Sequence, residues 1–152
     1  SLEWYAAQAP FRAVNLKLND TFGGNDTRAK LLPLLKQCWI DGKQAQLRTG
    51  AQPVNLLHIS DVQEGVLSAA GHTAQMPVHR VITAFALGGE TLRLGALVRR
   101  LQNGIAPGLS AHFEDMSEDN PALRGVWQSA PRLPNWSPPH FIRGRNERLF
   151  PE

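Results

Sequence analysis

The amino-acid sequence predicts an α/β domain, because short stretches with strand-like alternation are followed by stretches whose apolar residues recur at helical spacing. Of the 152 residues, 42% are hydrophobic and 19% charged, as in one globular domain that can bury a core. Seven of the eleven prolines follow residue 105. We therefore expect α/β structure over residues 1–105. An irregular proline-rich tail over residues 106–152 would pack on it within a single domain, anchored by Trp127, Trp136 and Phe141.

The first predicted element is a strand over residues 11–18. Val14, Leu16 and Leu18 alternate there with polar residues, which is typical of a strand with two unlike faces. The strand leads into residues 19–26, where two glycines flanked by asparagine and aspartate indicate a loop. We expect the strand to end in an exposed polar loop.

The next predicted elements are a helix and two strands. From Leu31 onward the apolar positions follow helical spacing, and Pro33 is tolerable only in a first turn. This predicts a helix over residues 31–41. Short strands are predicted over residues 44–48 and 54–59.

Two further helices and a strand complete the α/β pattern. Ser60 precedes a glutamine by three residues, which is the spacing of a capping box, and Gly71 is the predicted end of this helix. A strand over residues 79–87 follows. The third helix is predicted to have Thr91 as its N-cap and Gly104 as its stop.

Composition and charge exclude several classes of protein. No apolar stretch approaches the roughly 20 residues that a membrane-spanning helix needs. Cys38 is the single cysteine, so a disulfide framework is excluded and a reducing cytoplasm is the expected compartment. The formal net charge of +3 favours an anionic small ligand. The basic residues Arg143, Arg145 and Arg148 lack interleaved aromatics, which argues against a nucleic-acid-binding domain.

Motifs for dinucleotide binding and for tyrosine acid/base chemistry are missing from these 152 residues. No G-x-G-x-x-G is present, and the glycine pairs at 23–24 and 88–89 lack the third glycine. Tyr5 is the single tyrosine, and Ala9 stands four positions later, where a Tyr-x-x-x-Lys pair would need lysine. No residue of this chain is therefore predicted to be catalytic.

Other reactive groupings have simpler interpretations. His58, Ser60 and Asp61 are close in sequence and raise the idea of hydrolysis, but no nucleophile elbow surrounds the serine. We interpret Ser60 as a helix cap and His58 as a partly buried strand residue. The five histidines lack metal-ligand spacing, and the acidic residues at 114–119 lack the pattern of a calcium loop. No metal site is predicted.

Two cations follow the glycine loop. Arg28 and Lys30 precede a helix start, where backbone N–H groups and two positive charges would suit a phosphate. Ordinary exposed charges are an equally compatible interpretation of the same spacing.

Three motifs in register carry a family resemblance. Residues 14–26, V-N-L-K-L-N-D-T-F-G-G-N-D, resemble the late strand LRxxNxYGPxD of extended short-chain dehydrogenases/reductases, the NAD-dependent epimerase/dehydratase family. Residues 55–62 are similar to xFIHVDDVA of that family and residues 91–98 to its SLRELV helix. W-S-P at 136–138 is similar to a late G-W-x-P. The most similar branch is that of the CDP- or dTDP-deoxysugar enzymes, such as abequose synthase-like reductases.

The resemblance implies a fold, and it implies which functional parts of the enzyme this chain would contain. The chain would form the last part of a Rossmann-like sheet plus the small substrate-binding lobe. The glycine motif and the Tyr-x-x-x-Lys pair would lie before residue 1, so the chain would be a fragment that is inactive alone and binds no cofactor alone. The full-length parent would use NAD or NADP in epimerisation, dehydration or ketone reduction of a nucleotide sugar.

The resemblance also implies site residues. Asp20 stands where the family has asparagine, Gly24 where it has proline, and Val54 near where many members have a diphosphate-binding arginine. The residues assigned to the nicotinamide end of the cleft are Asn19, Thr21, Phe22 and Gly23, and those assigned to the nucleotide sugar are Asp20, Arg28, Lys30 and Arg48.

Partners and an alternative function follow from the same interpretation. The strand over residues 11–18 would lack its sheet neighbours, so we expect either the missing N-terminal half or self-association to cover its edge. Neither a membrane nor a nucleic acid is an expected partner. The alternative function is a non-enzymatic module that binds a sugar nucleotide or another anion.

Overall fold

A computed structural model describes residues 4–5, 8, 11–23, 30–78, 82–115 and 130–138. Its strands and helices alternate, which confirms the α/β class. In chain order they are β1 (Val14–Leu18), β2 (Asp20–Phe22), α1 (Leu31–Ile40), β3 (Gln44–Thr49), β4 (Pro53–His58), α2 (Ile59–Gln75), β5 (Thr83–Leu87), β6 (Glu90–Arg93), α3 (Leu94–Asn103) and β7 (Ser110–Asp115).

The strands form three small sheets. β1 and β5 pair in parallel, from Val14 opposite Thr83 to Leu18 opposite Leu87. In the second sheet, β4 lies between β2, which is parallel to it, and β6, which is antiparallel. β3 and β7 form a parallel pair. Each parallel pair is joined by a crossover that contains at least one helix, as parallel pairing requires.

The larger of two hydrophobic clusters, which we call the lobe core, lies under α1 and α3. Leu94, Leu97, Val98 and Leu101 all point into it from α3, because their spacing places them on one helix face. α1 contributes Leu32 and Leu35, strands β2, β3 and β4 contribute four residues, and Ala106 and Leu109 come from the connection after α3. The indole N–H of Trp39 donates to the Pro107 carbonyl at 2.9 Å, which links α1 to the segment after α3.

The smaller cluster, which we call the sheet core, packs α2 onto β1 and β5. Its buried residues are Leu57, Val62, Ala69, Phe85, Leu87 and Leu133. Leu133 comes from the proline-rich tail, and Trp136 packs beside it. The Ala86 N–H donates to the Pro131 carbonyl at 2.8 Å, and Arg132 bridges to Ala86 in parallel. The tail segment 131–133 therefore covers the edge of β5 that faces away from β1.

Several predicted bounds are confirmed within one residue, but β1 begins at Val14 and not at residue 11, and β2 occupies residues 20–22, where an exposed loop was predicted. The predicted start of α3 is also wrong. Thr91 was predicted to be its N-cap and instead lies in β6, where its Oγ1 accepts from Asn55 Nδ2 at 2.8 Å. The residue before the helix is Arg93. Pairing with β4 holds Glu90–Arg93 extended, and this long-range contact overrides the local capping signal.

Both ends of α2 also differ from the prediction. The side-chain cap is His58, whose Nδ1 accepts from the Ser60 N–H at 3.2 Å; Ser60 itself is inside the helix. The helix continues through Gly71 to Gln75 and stops at Met76, which is extended as expected of a residue before proline. A glycine in an exposed helix costs about 1 kcal/mol, so Gly71 alone does not end it.

The described part of the tail contains a strand, although little regular structure was predicted there. β7 pairs with β3 over Ser110–Asp115, and Ala111 and Phe113 turn toward the lobe core. Residues 79–81, Trp127, Phe141 and the basic cluster at 143–148 lie outside the described residues. Within the described part of the chain, none of the helices is long and apolar enough to cross a membrane.

Candidate functional site

The ends of β2 and β4 meet at one edge of their sheet. The two strands are parallel and Phe22 lies opposite His58, so both strands end at the same edge of the sheet. α1 begins nearby, since Lys30 Nζ lies 3.5 Å from the Thr21 carbonyl oxygen. In α/β proteins, ligands bind beyond the carboxyl ends of parallel strands. We call residues 19–23, Lys30 and His58 the strand-end site.

His58 is the buried member of this site. Its side chain is only 5% exposed, and its ring meets that of Phe22 edge to face at 5.2 Å. Because Nδ1 accepts the Ser60 N–H, the neutral ring carries its hydrogen on Nε2. The sequence predicted a partly buried strand residue with a satisfied ring; its contact with Phe22 was not foreseen.

The contact with His58 is one reason why position 23 must be glycine. The φ of Gly23 is +106°, a conformation that residues with a Cβ rarely adopt. A Cβ built there would lie 2.5 Å from His58 Nε2. The position therefore demands glycine for two independent reasons.

The predicted site residues divide into two groups. The residues of the strand-end segment lie together: Asp20 is exposed, Asn19 and Thr21 are half-buried, and Phe22 is buried. Asn19 Nδ2 is enclosed and has no acceptor among the described residues. Lys30 joins this group. Arg48 lies on the exposed face of β3, in a different sheet, and Arg28 lies outside the described residues.

Asn55 holds the site's central strand in place. Its Nδ2 donates to the Gly89 carbonyl at 3.1 Å, and its Oδ1 accepts the Gly89 N–H at 2.9 Å. Gly89 in turn lies against the Leu56 carbonyl, where a side chain would not fit. The glycine pair at 88–89 thus has a structural use, since it lets the β5–β6 connection approach β4.

The grouping of His58, Ser60 and Asp61 does not form a catalytic triad. His58 contacts Ser60 through the backbone N–H. Asp61 is fully buried in the first turn of α2, where a carboxylate is favoured by the helix dipole. Among the described residues, no three His, Cys, Asp or Glu side chains converge as metal ligands.

Comparison with known proteins identifies the fold. No protein-family model matches the sequence, and no curated protein is similar to it. Among solved structures, UDP-glucose 4-epimerase from Thermotoga maritima, with UDP-glucose, has a TM-score of 0.67 and 14% identity over 98% of this chain and 47% of that one. UDP-glucuronic acid 4-epimerase from Bacillus cereus, with UDP-glucuronic acid and NAD, has a TM-score of 0.60 and 14% identity over 85% and 41%.

The chain is also similar in structure to a dehydratase. TunA, an NAD-dependent NDP-hexosamine 5,6-dehydratase, has a TM-score of 0.62 and 16% identity over 97% of this chain and 50% of that one. The chain thus spans about half the length of these structures. At such identities the comparison establishes the fold alone. The fold is that of part of an NAD-dependent epimerase/dehydratase structure, which confirms the Rossmann-like α/β architecture expected from the resemblance.

Proposed function

We propose that this chain is the C-terminal, nucleotide-sugar-binding part of an NAD(P)-dependent sugar-nucleotide epimerase, dehydratase or reductase. The observation that carries the proposal is the strand-end site, where β2, β4 and α1 converge in a fold shared with structures that hold UDP-sugars. We propose that the chain is inactive alone, because it lacks the glycine motif and the Tyr-x-x-x-Lys pair.

The charges at the strand-end site suit a nucleoside diphosphate sugar. Lys30 stands at the N-cap of the ten-residue helix α1, and no side chain of the described residues caps its first turn. The unpaired N–H groups there and the lysine ammonium would both favour a diphosphate. Asp20 is exposed one residue before Thr21, whose carbonyl lies near the lysine, and it would accept hydrogen bonds from sugar hydroxyls. Arg28 precedes Lys30 by two residues and is proposed to add a second cation.

The nicotinamide cofactor would be held mainly outside this chain. Asn19, Thr21, Phe22 and Gly23 lie at the strand ends, where a dinucleotide crosses such sheets. The enclosed Nδ2 of Asn19 is a donor without an acceptor among the described residues, and so is compatible with a neighbouring polar ligand. Pyrophosphate-binding glycines are missing from this sequence, so the proposed role is to flank NAD or NADP, which would supply the hydride chemistry.

The partner is proposed to be the preceding half of the same parallel sheet. Among the described residues, β1 pairs with β5 alone. A groove of about 510 Å³ runs beside it, lined mainly by small side chains of β1 and α2. Parallel sheets are usually covered on both faces and continued by further strands. Lys17 is exposed in the middle of β1, and a charged edge residue disfavours pairing between identical edges, so the preceding half is preferred over a second copy.

The test is a calorimetric titration of the 152-residue chain with UDP-glucose, dTDP-glucose and CDP-glucose. We expect binding to one of them, weakened about tenfold by Lys30→Met because a charge-assisted contact is lost. Lys43→Met is the matched control, since Lys43 is 73% exposed and pairs with Asp41 at the far end of α1. Equal losses in both variants, or no binding at all, would contradict the proposal.

Two further measurements separate the alternatives. Inorganic pyrophosphate that binds as tightly as every nucleotide sugar would favour the non-enzymatic anion-binding module. Conversion of any of the three sugars by the purified chain with added NAD would overturn the proposed inactivity.

A further inference from the structure

His58 connects two elements through opposite edges of its ring. On one edge, Nδ1 accepts the Ser60 N–H at the start of α2. On the other edge, Nε2 and Cδ2 lie against Gly23, at 2.5 Å and 2.7 Å from where a Cβ would stand. The imidazole therefore lies between the first turn of α2 and the residue that follows β2.

The ring has one orientation. An imidazole can usually turn over about its χ2 bond, but only one of the two orientations offers Nδ1 to the Ser60 N–H. The edge-to-face contact with Phe22 limits the ring from a third direction. Because the side chain is almost fully buried, it cannot relax toward solvent.

The backbone at Gly23 needs such a support. β2 has only three residues, and among the described strands it pairs with β4 alone. Gly23 lies directly beyond its last residue with φ at +106°. Glycine has the largest backbone freedom of any residue, so strand pairing alone would leave this position loosely defined.

We propose that His58 is a positioning residue that sets the path of the backbone at Thr21–Gly23. The inference rests on the proposed function only for the ligand that this segment meets, the nicotinamide end of a dinucleotide. The ring does not touch the ligand itself. The first turn of α2 fixes the ring, and the ring restrains the backbone of residues 21–23, so that this segment has its conformation before any ligand binds.

Two variants separate the two edges of the ring. His58→Asn keeps a side-chain acceptor suited to an N-cap but removes the ring edge that supports Gly23. His58→Phe keeps a ring against Gly23 but removes the acceptor for the Ser60 N–H. In the ¹⁵N-labelled chain, we expect His58→Asn to raise the amide exchange rate of Gly23 about tenfold and leave that of Ser60 near wild type. We expect His58→Phe to do the reverse.

The tautomer of the His58 imidazole can be measured in the wild-type chain. Long-range ¹H–¹⁵N correlation of the imidazole should show Nδ1 without hydrogen and Nε2 with hydrogen at pH 7.5. The opposite tautomer would overturn the proposal. A His58→Asn variant with wild-type amide exchange at Gly23 would also overturn it. Equal increases in exchange at Gly23 and Ser60 in both variants, together with a lower melting temperature, would overturn it too, because they would indicate general destabilisation.

The outcome is independent of the nucleotide-sugar titration. If the chain binds no nucleotide sugar but Gly23 responds as expected, the positioning role stands and the proposed ligand is wrong. If a sugar binds and Gly23 does not respond, the proposed function stands and the role of His58 is wrong.

Discussion

The lobe core and the sheet core differ in how far each is completed by its own residues. The lobe core holds twelve buried side chains from two helices, two sheets and the connection after α3, and both α1 and α3 bury one face in it. The sheet core holds six, and one of them, Leu133, comes from the distant tail. One region is thus a finished unit, whereas the other ends in a strand edge and a groove. Under the proposed function, ligand binding would use residues beside the lobe core, and assembly with the preceding half of the sheet would use the sheet core.

The largest effect is expected where the two regions are joined. Gly89→Ala would force a methyl group into the Leu56 carbonyl and break the contact of Asn55 with the β5–β6 connection. We expect a loss of about 4–5 kcal/mol in the free energy of unfolding, measured in urea, because the clash with a backbone oxygen adds to the lost hydrogen bonds. Gly71→Ala is the matched control. No atom lies near its Cβ position, so this helix substitution should stabilise by about 0.5–1 kcal/mol.

Truncating one leucine in each region compares the two cores directly. Leu97 is 0% exposed in the lobe core, so Leu97→Ala should cost about 3–4 kcal/mol through lost burial and a new cavity. Leu16 is half-buried on β1, and Leu16→Ala should cost about 1 kcal/mol. Urea denaturation of both variants is the measurement. Equal costs would mean that β1 is as fully packed as the lobe.

Assembly at the groove is tested by adding bulk and charge. Ala70 lines the groove, so Ala70→Arg should weaken association with a separately expressed preceding half of the sheet about tenfold, or about 1.4 kcal/mol. Leu67→Arg is the control on the same helix, because Leu67 is 72% exposed and does not line the groove. Sedimentation velocity measures both. A homodimer that Ala70→Arg dissociates would instead favour a second copy of this chain.

The smallest effect is expected after α1. Hydrogen bonds from Lys43 and then Gln37 lower the pKa of Asp41 below its ordinary value of 3.8. A lowered pKa means that this carboxylate stabilises the folded chain above that value and stops doing so as pH falls through the folded pKa. The difference in melting temperature between wild type and Asp41→Asn should therefore change between pH 5 and pH 2. A constant difference across that range would show that Asp41 makes no such contribution.

Local patterns predicted that the three helices exist, although not all of their ends, and they missed three of the strands: β2 lies where a loop was predicted, and β6 and β7 were not predicted at all. α1 and α3 each repeat apolar residues often enough to define a buried face, so their spacing alone identifies them. β6 has four residues with one central leucine, and β7 lies between prolines and an acidic run. Both strands depend on partners far away in sequence, β4 and β3, which no local window contains.

The strand-end site was predictable as a segment but not as an arrangement. The motif at residues 14–26 pointed to Asn19, Asp20 and Gly23, since a strand followed by a glycine loop is visible in the sequence. The contact between Gly23 and His58 depends on the parallel register of β2 and β4. Thirty-five residues separate the two, so only the topology reveals that the histidine supports the glycine.

The proline-rich segment on the far edge of β5 has a consequence for solubility. Residues 131–133 already occupy this edge of β5, and Pro134 has no N–H to donate to a further strand. The sheet can therefore be extended from β1 but not from its opposite side. Strand addition through this sheet would therefore stop after a single partner has paired with β1, because its second edge is already occupied.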